Sequence, residues 1–445
     1  MAYAIVISIV AAVGGLLFGF DTAIIAGATE FIKDQFHLTK IQEGNMVGSL
    51  LIGCMIGAGV AGWLSDRFGR KRVLVVTAAI YVVSAILTAL PKNIDQLMVT
   101  RFICGLAVGI SSMIAPLYIA EIAPAKIRGL LVSLQQLAIV IGILLAGVVA
   151  AIFVDHGVNN WRFMFASAAV PSLLLLIGLF AVPESPRWLA KQAQAGQASM
   201  DQAFNILARI GGRVHATTEL AEIQQALSKK EGSLTDLLSI GRVALIIGMT
   251  LAILGQISGI NAVIYFAPKI FLAAGFDDAS AAVKANIYVG VTNLIFTLLS
   301  MAVIDKMGRK ALLIIGTAGM ALAMVLAGTY LSREDLTLTT KVSIILFYTG
   351  SFSFGVGGVV WVLIAEIFPA LVRSRGCAVA TVAVWGACYL VALTFPWLLD
   401  TFKNSVFFIY AAMSLAMLLF VALVVPETKG KSLEEIDQMW QPRGH

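Results

Sequence analysis

The sequence predicts an all-α membrane protein with twelve transmembrane helices in two six-helix halves. Three observations support this fold class. Of the 445 residues, 59% are apolar and 13% are charged, against about half and about a quarter in an average soluble domain. Apolar segments of membrane-span length recur along the whole chain. Three polar motifs of the first half then return in the second half at a nearly constant distance.

The predicted spans follow the apolar segments in order, because a helix needs about 20 apolar residues to cross a bilayer. Six lie near 4–28, 45–64, 73–91, 97–120, 130–153 and 162–182, and six more near 243–267, 284–304, 311–330, 342–365, 376–399 and 405–425. Between them, helical spacing of apolar residues predicts a cytoplasmic linker of short amphipathic helices. The predicted domains are therefore a first half at 1–182, the linker at 183–241, a second half at 242–425 and a cytoplasmic tail at 426–445.

The two halves repeat one another at three places. An Asp-Arg-Phe-Gly-Arg-Lys loop at 66–71 returns as Asp-Lys-Met-Gly-Arg-Lys at 305–310. A Glu followed seven residues later by Arg occurs at 121 and 128, and again at 366 and 373. A Pro-Glu-Ser at 183–185 returns as Pro-Glu-Thr at 426–428. Such duplication is typical of secondary transporters, which bind their substrate between the repeats near the bilayer midplane.

The distribution of basic residues predicts the orientation. About two thirds of the 31 Lys and Arg residues lie in the linker, the tail and the loops on the same side. Because cytoplasmic loops are enriched in Lys and Arg, we expect that side and both termini to be cytoplasmic in a multi-pass protein of the cell membrane. The net charge of +6 is then explained by topology, so no nucleic-acid partner is expected. The sequence lacks clustered nucleophiles, histidines or metal ligands, and neither an enzyme, a cofactor nor a metal is predicted.

Two ionisable side chains are predicted to lie within the bilayer. Asp21 falls in the outer half of the first span and Arg101 in the outer half of the fourth, so the two can meet. A charge at that depth costs a few kcal/mol, which indicates either a function or a partner. A neighbouring guanidinium favours the ionised carboxylate and burial favours the neutral acid, so movement of Arg101 would load or release a proton at Asp21. The alternative is a permanent ion pair that only orients the bundle.

Neutral amides and aromatic residues occupy the middles of the spans. They are Gln135, Gln136, Gln256, Asn261, Tyr265, Asn293, Trp361, Trp385 and Tyr389. Amides both donate and accept hydrogen bonds, as sugar hydroxyls do, and aromatic faces cover the C–H surface of a pyranose. No spare charge remains for an ionic substrate, so this set predicts a sugar or polyol. The alternative is that these residues only join helices. Gln256 and Asn261 are five residues apart and can share a face only if their helix is broken.

Several motifs, taken together, resemble the sugar porter family of the major facilitator superfamily over nearly the whole chain. They are the Gly-Gly-Leu-Leu-Phe-Gly-Phe-Asp run at 14–21, the two Asp-x-x-Gly-Arg-Lys loops, and residues 183–187, 256–261 and 426–430. The sequence is most similar to bacterial proton-coupled xylose and glucose symporters. The resemblance implies H⁺-coupled import of a neutral hexose or pentose by alternating access, and we expect a monomer. A proton-independent sugar or inositol facilitator and a non-transporting sugar sensor remain the alternatives.

The resemblance also implies roles for particular residues. The sugar contacts would be Gln136, Gln256, Asn261, Asn293 and Trp361, and proton coupling would fall to Asp21, an acid that the facilitators generally lack. The chain departs from the family pattern at Gly255, Gly358 and Val384, where a glutamine, a proline and an amide are usual. These departures leave the particular sugar and its affinity open.

Charged residues cluster at the predicted cytoplasmic ends of spans in both halves. They are Arg70, Glu121, Arg128, Glu184, Arg187, Arg309, Glu366, Arg373 and Glu427. The resemblance implies that they lock the inner face while the carrier faces outward. A single exposed ion pair contributes about 0 to 1 kcal/mol, whereas a network that joins both halves would bias the conformational equilibrium several times more. The alternative is that these charges only satisfy topology.

Overall fold

The computed structural model describes residues 2–124, 127–196, 199–227, 233–369 and 371–429, and every regular element in these ranges is helical. The first half contains α1 (Ala2–Phe36), α2 (Lys40–Phe68), α3 (Arg70–Thr88), α4 (Ile94–Ile122), α5 (Arg128–Phe153), α6 (Asn160–Ala166) and α7 (Ala169–Ala181). The linker contains α8 (Pro186–Gln194), α9 (Met200–Leu227) and α10 (Leu234–Ser239). The second half contains α11 (Arg242–Ile257), α12 (Ile260–Ala273), α13 (Ala279–Met307), α14 (Arg309–Tyr330), α15 (Leu338–Phe352), α16 (Val359–Ile367), α17 (Arg373–Phe402) and α18 (Val406–Leu423).

Eleven segments of the described chain are long and apolar enough to cross a membrane. The last of them, at 375–423, is 49 residues long and is divided into α17 and α18 by a 3-10 turn, Lys403–Ser405. The all-helical membrane fold is therefore confirmed, and the count of twelve spans stays a prediction. Several helices extend beyond their apolar segments, as α1 does to Phe36 and α2 from Lys40, because polar residues can continue a helix outside the hydrocarbon.

The repeated loop motif forms the same tight turn in both halves. Gly69 joins α2 to α3 with a φ of 95°, and Gly308 joins α13 to α14 with a φ of 91°. Positive φ angles of this kind are strained for any residue with a side chain. A Cβ at either position would also overlap a carboxylate, that of Glu184 or that of Glu427.

Two membrane segments of the second half are interrupted. Gly259 has a left-handed φ of 111° and separates α11 from α12. A π-helical turn, Ser353–Gly357, separates α15 from α16. Such breaks free backbone groups from the helical ladder, so within a membrane they occur where protein or a polar cavity surrounds them.

The linker helices divide between the two halves. Helix α8 packs against α9, and Trp188 Nε1 donates a hydrogen bond of 2.8 Å to the Asp66 carbonyl of the first half. Arg128 pairs with Glu219 of α9 at 3.1 Å. Helix α10, in contrast, contacts α11 and α17 of the second half. Helix α9 spans 28 residues and is bent at Gly212, so it is longer than the predicted short helices; part of the predicted linker lies outside the described residues.

The contact between α2 of the first half and α17 of the second is tight at one end of the bundle and looser towards the other. We call the end that bears the linker the linker end, and the opposite one the far end. A Cβ added to Gly44 of α2 would overlap the backbone of Leu393 in α17, near the far end. Towards the linker end, a Cβ on Gly59 would lie 4.0 Å from Val382, and one on Gly62 would meet no described atom within 4 Å. This contact therefore loosens towards the linker end.

Candidate functional site

A cavity of about 100 Å³ lies between the two halves. Its lining includes seven of the residues predicted to contact a sugar: Gln136, Gln256, Asn261, Tyr265, Asn293, Trp361 and Trp385. Helix α5 supplies one of them, and α11, α12, α13, α16 and α17 supply the others. The cavity is therefore built largely by the second half and closed on the other side by α1 and α5.

The break between α11 and α12 brings two amides of the cavity together. Asn261 Nδ2 donates a hydrogen bond of 2.8 Å to Gln256 Oε1, and it also contacts Cys388 Sγ at 3.3 Å. On a continuous helix these two amides would point about 140° apart. The left-handed backbone at Gly259 removes that conflict, so the interruption of the helix positions the amide pair.

Asn293 is held in a defined orientation by its carbonyl oxygen. Asn293 Oδ1 accepts hydrogen bonds from Ser353 Oγ at 2.8 Å and from Thr297 Oγ1 at 3.3 Å. Because both bonds use the oxygen, the amide nitrogen stays available as a donor to the cavity it lines. Ser353 begins the π-helical turn, so this second helix interruption also supports the site.

Trp385 brings both an apolar face and a polar group to the cavity. Its ring lies 5.2 Å from the ring of Phe18, between centroids, and the residue is 2% exposed. Its indole N–H has no hydrogen-bond partner among the described residues. A buried donor without a partner is costly, and a ligand hydroxyl would satisfy it.

Two predicted site residues lie outside the cavity lining. Gln135 turns towards α1, where a Cβ added to Gly15 would lie 2.8 Å from its amide group. The ring of Tyr389 packs against Gly48 of α2. Successive residues of a helix point about 100° apart, so Gln135 cannot share the direction of Gln136. Both residues lie at contacts between helices, and neither Nε2 nor Oε1 of the Gln135 amide has a hydrogen-bond partner among the described residues.

The sequence interpretation missed several residues that line the cavity. They are Phe18, Thr22, Thr297, Phe352 and Cys388, with aliphatic neighbours. Thr297 lies one helical turn after Asn293, and that spacing on one helix face was a usable signal. Cys388 carried no such signal, because a cysteine in an apolar segment usually behaves as a small hydrophobic residue.

Asp21 and Arg101 are both buried inside the first half, at 6% and 2% exposure. They interact electrostatically, yet within the described chain they form no ion pair, and Asp21 Oδ2 and Arg101 Nε have no hydrogen-bond partner. The Arg101 guanidinium lies 5.3 Å from the centre of the Phe165 ring. Phe18 and Thr22, on either side of Asp21 in α1, line the cavity. Asp21 and Arg101 are therefore neighbours beside the cavity. In this conformation they do not form the direct ion pair that a permanent structural role would require.

The charged residues at the linker end of the first half form a closed network of hydrogen bonds, which we call the charge circuit of that half. Arg70 Nε donates to Glu121 Oε2 at 3.0 Å, and Ser185 Oγ donates to the same carboxylate. The Glu184 carboxylate accepts hydrogen bonds from the backbone N–H groups of Arg70 and Lys71, at 2.8 and 3.0 Å. This circuit joins α3, α4 and the start of the linker.

The second half repeats that circuit. Arg309 pairs with Glu366 at 3.1 Å, Thr428 Oγ1 donates to Glu366 at 2.7 Å, and the Glu427 carboxylate accepts from the backbone N–H groups of Arg309 and Lys310. Burial acts to raise the pKa of Glu427, but the backbone N–H groups outweigh it and hold that pKa below its ordinary value. The duplicated motifs thus produce duplicated contacts.

The remaining predicted gate residues differ in their surroundings. Arg128 and Arg373 each donate through Nε to a backbone carbonyl five residues earlier, in Ala123 and Phe368. Arg187 is exposed and forms no ion pair within the described ranges. No ion pair at the linker end joins the two halves in the described chain, so the expected network across both halves is absent in this conformation.

Membrane-length helices in two repeated halves, arranged around a polar and uncharged cavity, define a secondary transporter of the major facilitator type. The comparisons with known proteins agree. Residues 7–440 match the family described as sugar (and other) transporters. The arabinose-proton symporter of Bacillus subtilis is 41% identical over 454 residues, which cover 99% of this chain and 96% of that protein.

Two further similarities point to the same group. The D-xylose-proton symporter of Escherichia coli is 38% identical over 480 residues, covering 99% of this chain and 96% of that protein. A structure of the E. coli xylose transporter in a partially occluded inward-open conformation matches with a TM-score of 0.86 at 37% identity, over 97% of this chain and all of the other. The chain belongs to the sugar porter family of the major facilitator superfamily.

Proposed function

We propose that this protein imports a neutral monosaccharide together with H⁺ across the cell membrane, by alternating access. One observation carries the proposal: a buried acid, Asp21, lies near a buried base, Arg101, and beside a cavity lined with amides and aromatic rings. The acid can exchange a proton as its distance from the base changes, and the cavity can bind hydroxyl groups. A carrier that only dissipates a sugar gradient has no need for a carboxylate at this depth, since burying it is costly.

The proposed ligand follows from the chemistry of the lining and from the relatives. Amides, hydroxyls and indoles bind polyhydroxylated molecules, and no charged side chain lines the cavity in the described chain. Two relatives carry names that state arabinose–proton and D-xylose–proton symport. A hexose or pentose is therefore the proposed substrate class. Of the three departures from the family pattern, Val384 lines the cavity and Gly358 lies against Gln136, so these two would affect the choice of sugar. A side chain at Gly255 would instead meet Met417 and Val356.

The geometry supports a cycle with this conformation as its inward-facing member. By the distribution of Lys and Arg, the linker end is proposed to be cytoplasmic, as are both termini. The contact between α2 and α17 loosens towards that end, and a bound sugar would leave there to the cytoplasm. In the outward-facing state the two charge circuits would approach and form the inner gate. We also propose that the chain is divided into the four parts predicted from the sequence, 1–182, 183–241, 242–425 and 426–445, and that the protein is a monomer.

The test is concentrative uptake by purified protein in liposomes. With an alkaline lumen, the wild type should accumulate labelled sugar above the external concentration. Asp21→Asn should lose that accumulation and reach only equal concentrations on the two sides, because its side chain cannot carry a proton. Exchange of labelled for unlabelled sugar should continue in this variant.

Asp277→Asn is the matched control, since Asp277 is an exposed acid that belongs neither to the cavity lining nor to the linker-end contacts. It should accumulate sugar as the wild type does. Normal accumulation by Asp21→Asn would assign the proton to another group. Uptake by the wild type that ignores the pH gradient would instead support a facilitator, and binding without any uptake would support a sensor.

A further inference from the structure

Three ion pairs cross between the two halves in the described chain, and all three lie at the far end. They are Lys40–Asp400 at 3.5 Å, Lys284–Asp155 at 2.8 Å and Lys269–Glu43. The first two are open to solvent, with side-chain exposures between 36% and 60%. The third is buried, at 12% for Lys269 and 0% for Glu43. Burial therefore distinguishes the Glu43–Lys269 pair from the two exposed pairs.

Among the described residues, Lys269 is the one basic side chain that pairs directly with Glu43. Its Oε1 bonds Lys269 Nζ, and its Oε2 has no hydrogen-bond partner among the described residues. The nearest other charges are Glu30 and Lys33 of α1, which pair with each other at 2.8 Å. If the halves separated at the far end, Glu43 could regain water. While they remain together, removal of Lys269 would leave a buried and unpaired carboxylate.

Helix α12 connects this ion pair to the cavity. Asn261 and Tyr265 lie one turn apart on α12, and Lys269 follows four residues later, beyond a bend at Phe266 (φ −132°) and the in-helix Pro268. Asn261 and Tyr265 line the cavity, and Lys269 reaches α2 of the other half. The helix begins after the left-handed Gly259, and its last turn is bound by Lys341, whose Nζ donates 2.7 Å to the Ala274 carbonyl. It is therefore a separate short helix with the sugar amide at one end and the ion pair near the other.

We propose that the Glu43–Lys269 ion pair is the latch that holds the far end of the carrier closed and must open before the outward-facing state forms. The inference deepens the proposed alternating access and rests on it. Breaking one partner of a buried pair is strongly unfavourable because it leaves an uncompensated charge, whereas an exposed pair contributes little. The buried pair therefore dominates the three contacts, and α12 places it under the influence of the cavity.

The test measures the separation of the two halves at the far end directly. Spin labels on cysteines introduced at Ile41 and Thr401 would report it, because both residues are exposed and they follow Lys40 and Asp400, which form an ion pair across the halves. The background is the full chain with its four native cysteines replaced. The measurement uses purified protein without sugar and without a pH gradient.

Lys269→Gln should shift the ratio of open to closed far ends by about 100-fold relative to the wild type, visible as a second population at longer distance. The doubly reversed variant, Glu43→Lys with Lys269→Glu, should restore the short distance. Lys284→Gln is the matched control, since it removes an exposed pair at the same end; its shift should stay below about fivefold.

A wild-type distance distribution in Lys269→Gln would overturn the latch, as would an equal shift in Lys284→Gln. Thermal unfolding of each variant identifies any variant that fails to fold. If Lys269→Gln does not fold, the doubly reversed variant decides the test by itself. A folded doubly reversed variant that shows the long distance would also overturn the proposal. Because the experiment uses neither sugar nor a pH gradient, a failure of sugar–proton symport in liposomes would be seen separately from a failure of the latch.

Discussion

The two halves of the molecule share one scaffold at the linker end and differ inside the membrane. At the linker end, Arg70 pairs with Glu121 in the first half as Arg309 pairs with Glu366 in the second, although Arg70 binds through two nitrogens and Arg309 through one. Within the bilayer, the first half contains the buried pair of Asp21 and Arg101. The second half contributes most of the cavity lining and the two helix interruptions that shape it.

This difference suggests how a duplicated fold divides two tasks. The interaction between a buried acid and base depends on their distance, and here the two groups lie on α1 and α4, so a movement of one helix relative to the other would change it. A cavity for hydroxyl groups needs many donors and acceptors in one place, which the breaks near Gly259 and Ser353 supply. Proton handling is thus proposed for the first half, and sugar binding chiefly for the second.

The largest expected effect is on sugar affinity. Asn261→Ala should weaken binding by about 10- to 100-fold, because it removes a donor and leaves Gln256 without its partner. Asp21→Asn should change affinity less than about threefold. Calorimetric titration of purified protein would measure both. Asn286→Ala is the control, an amide of α13 that does not line the cavity. Equal weakening by Asn261→Ala and Asp21→Asn would contradict the division of tasks.

The second prediction, an intermediate loss of stability, tests whether the two halves are alike at the linker end. Gly69→Ala and Gly308→Ala should each destabilise the protein by about 1–3 kcal/mol, because both glycines have positive φ and face a carboxylate. The two losses should agree closely, as measured by thermal unfolding in detergent. Gly62→Ala, where the added Cβ meets open space, should be close to neutral. A large cost at one turn only would show that the two circuits are not equivalent.

The smallest effect should distinguish two exposed acids of the repeated loops. Asp66 contacts both Arg70 and Lys191, whereas Asp305 contacts Arg309. Asp66→Asn and Asp305→Asn should each cost less than about 1 kcal/mol, with the larger loss at Asp66. Unfolding in low and high salt would measure them, and about 1 M salt should remove the difference. A difference that survives high salt would mean that contacts other than charge separate the two loops.

The amount that could be predicted differs between the fold and the site. Hydrophobic length predicted the membrane helices, and the repeated motifs predicted two related halves, but not the contacts that Glu121 and Glu366 make within their own halves. Residue type predicted a polar, uncharged cavity. Residue type could not predict direction: Gln135 and Gln136 are adjacent in sequence, yet only Gln136 lines the cavity. Cys388 contacts Asn261 and Gln256, and nothing in its local sequence indicated that.

The sequence by itself determined the membrane class, the duplication and the residue types available for binding, because hydropathy and motif spacing are local properties of the chain. Only the tertiary structure decided which side chains meet. The rotation of each helix, the breaks in α11–α12 and α15–α16, and the approach of the halves at the far end depend on packing between distant segments. The pairing of Glu43 with Lys269 is of this kind, since the two residues lie in different halves and come together only where those halves touch.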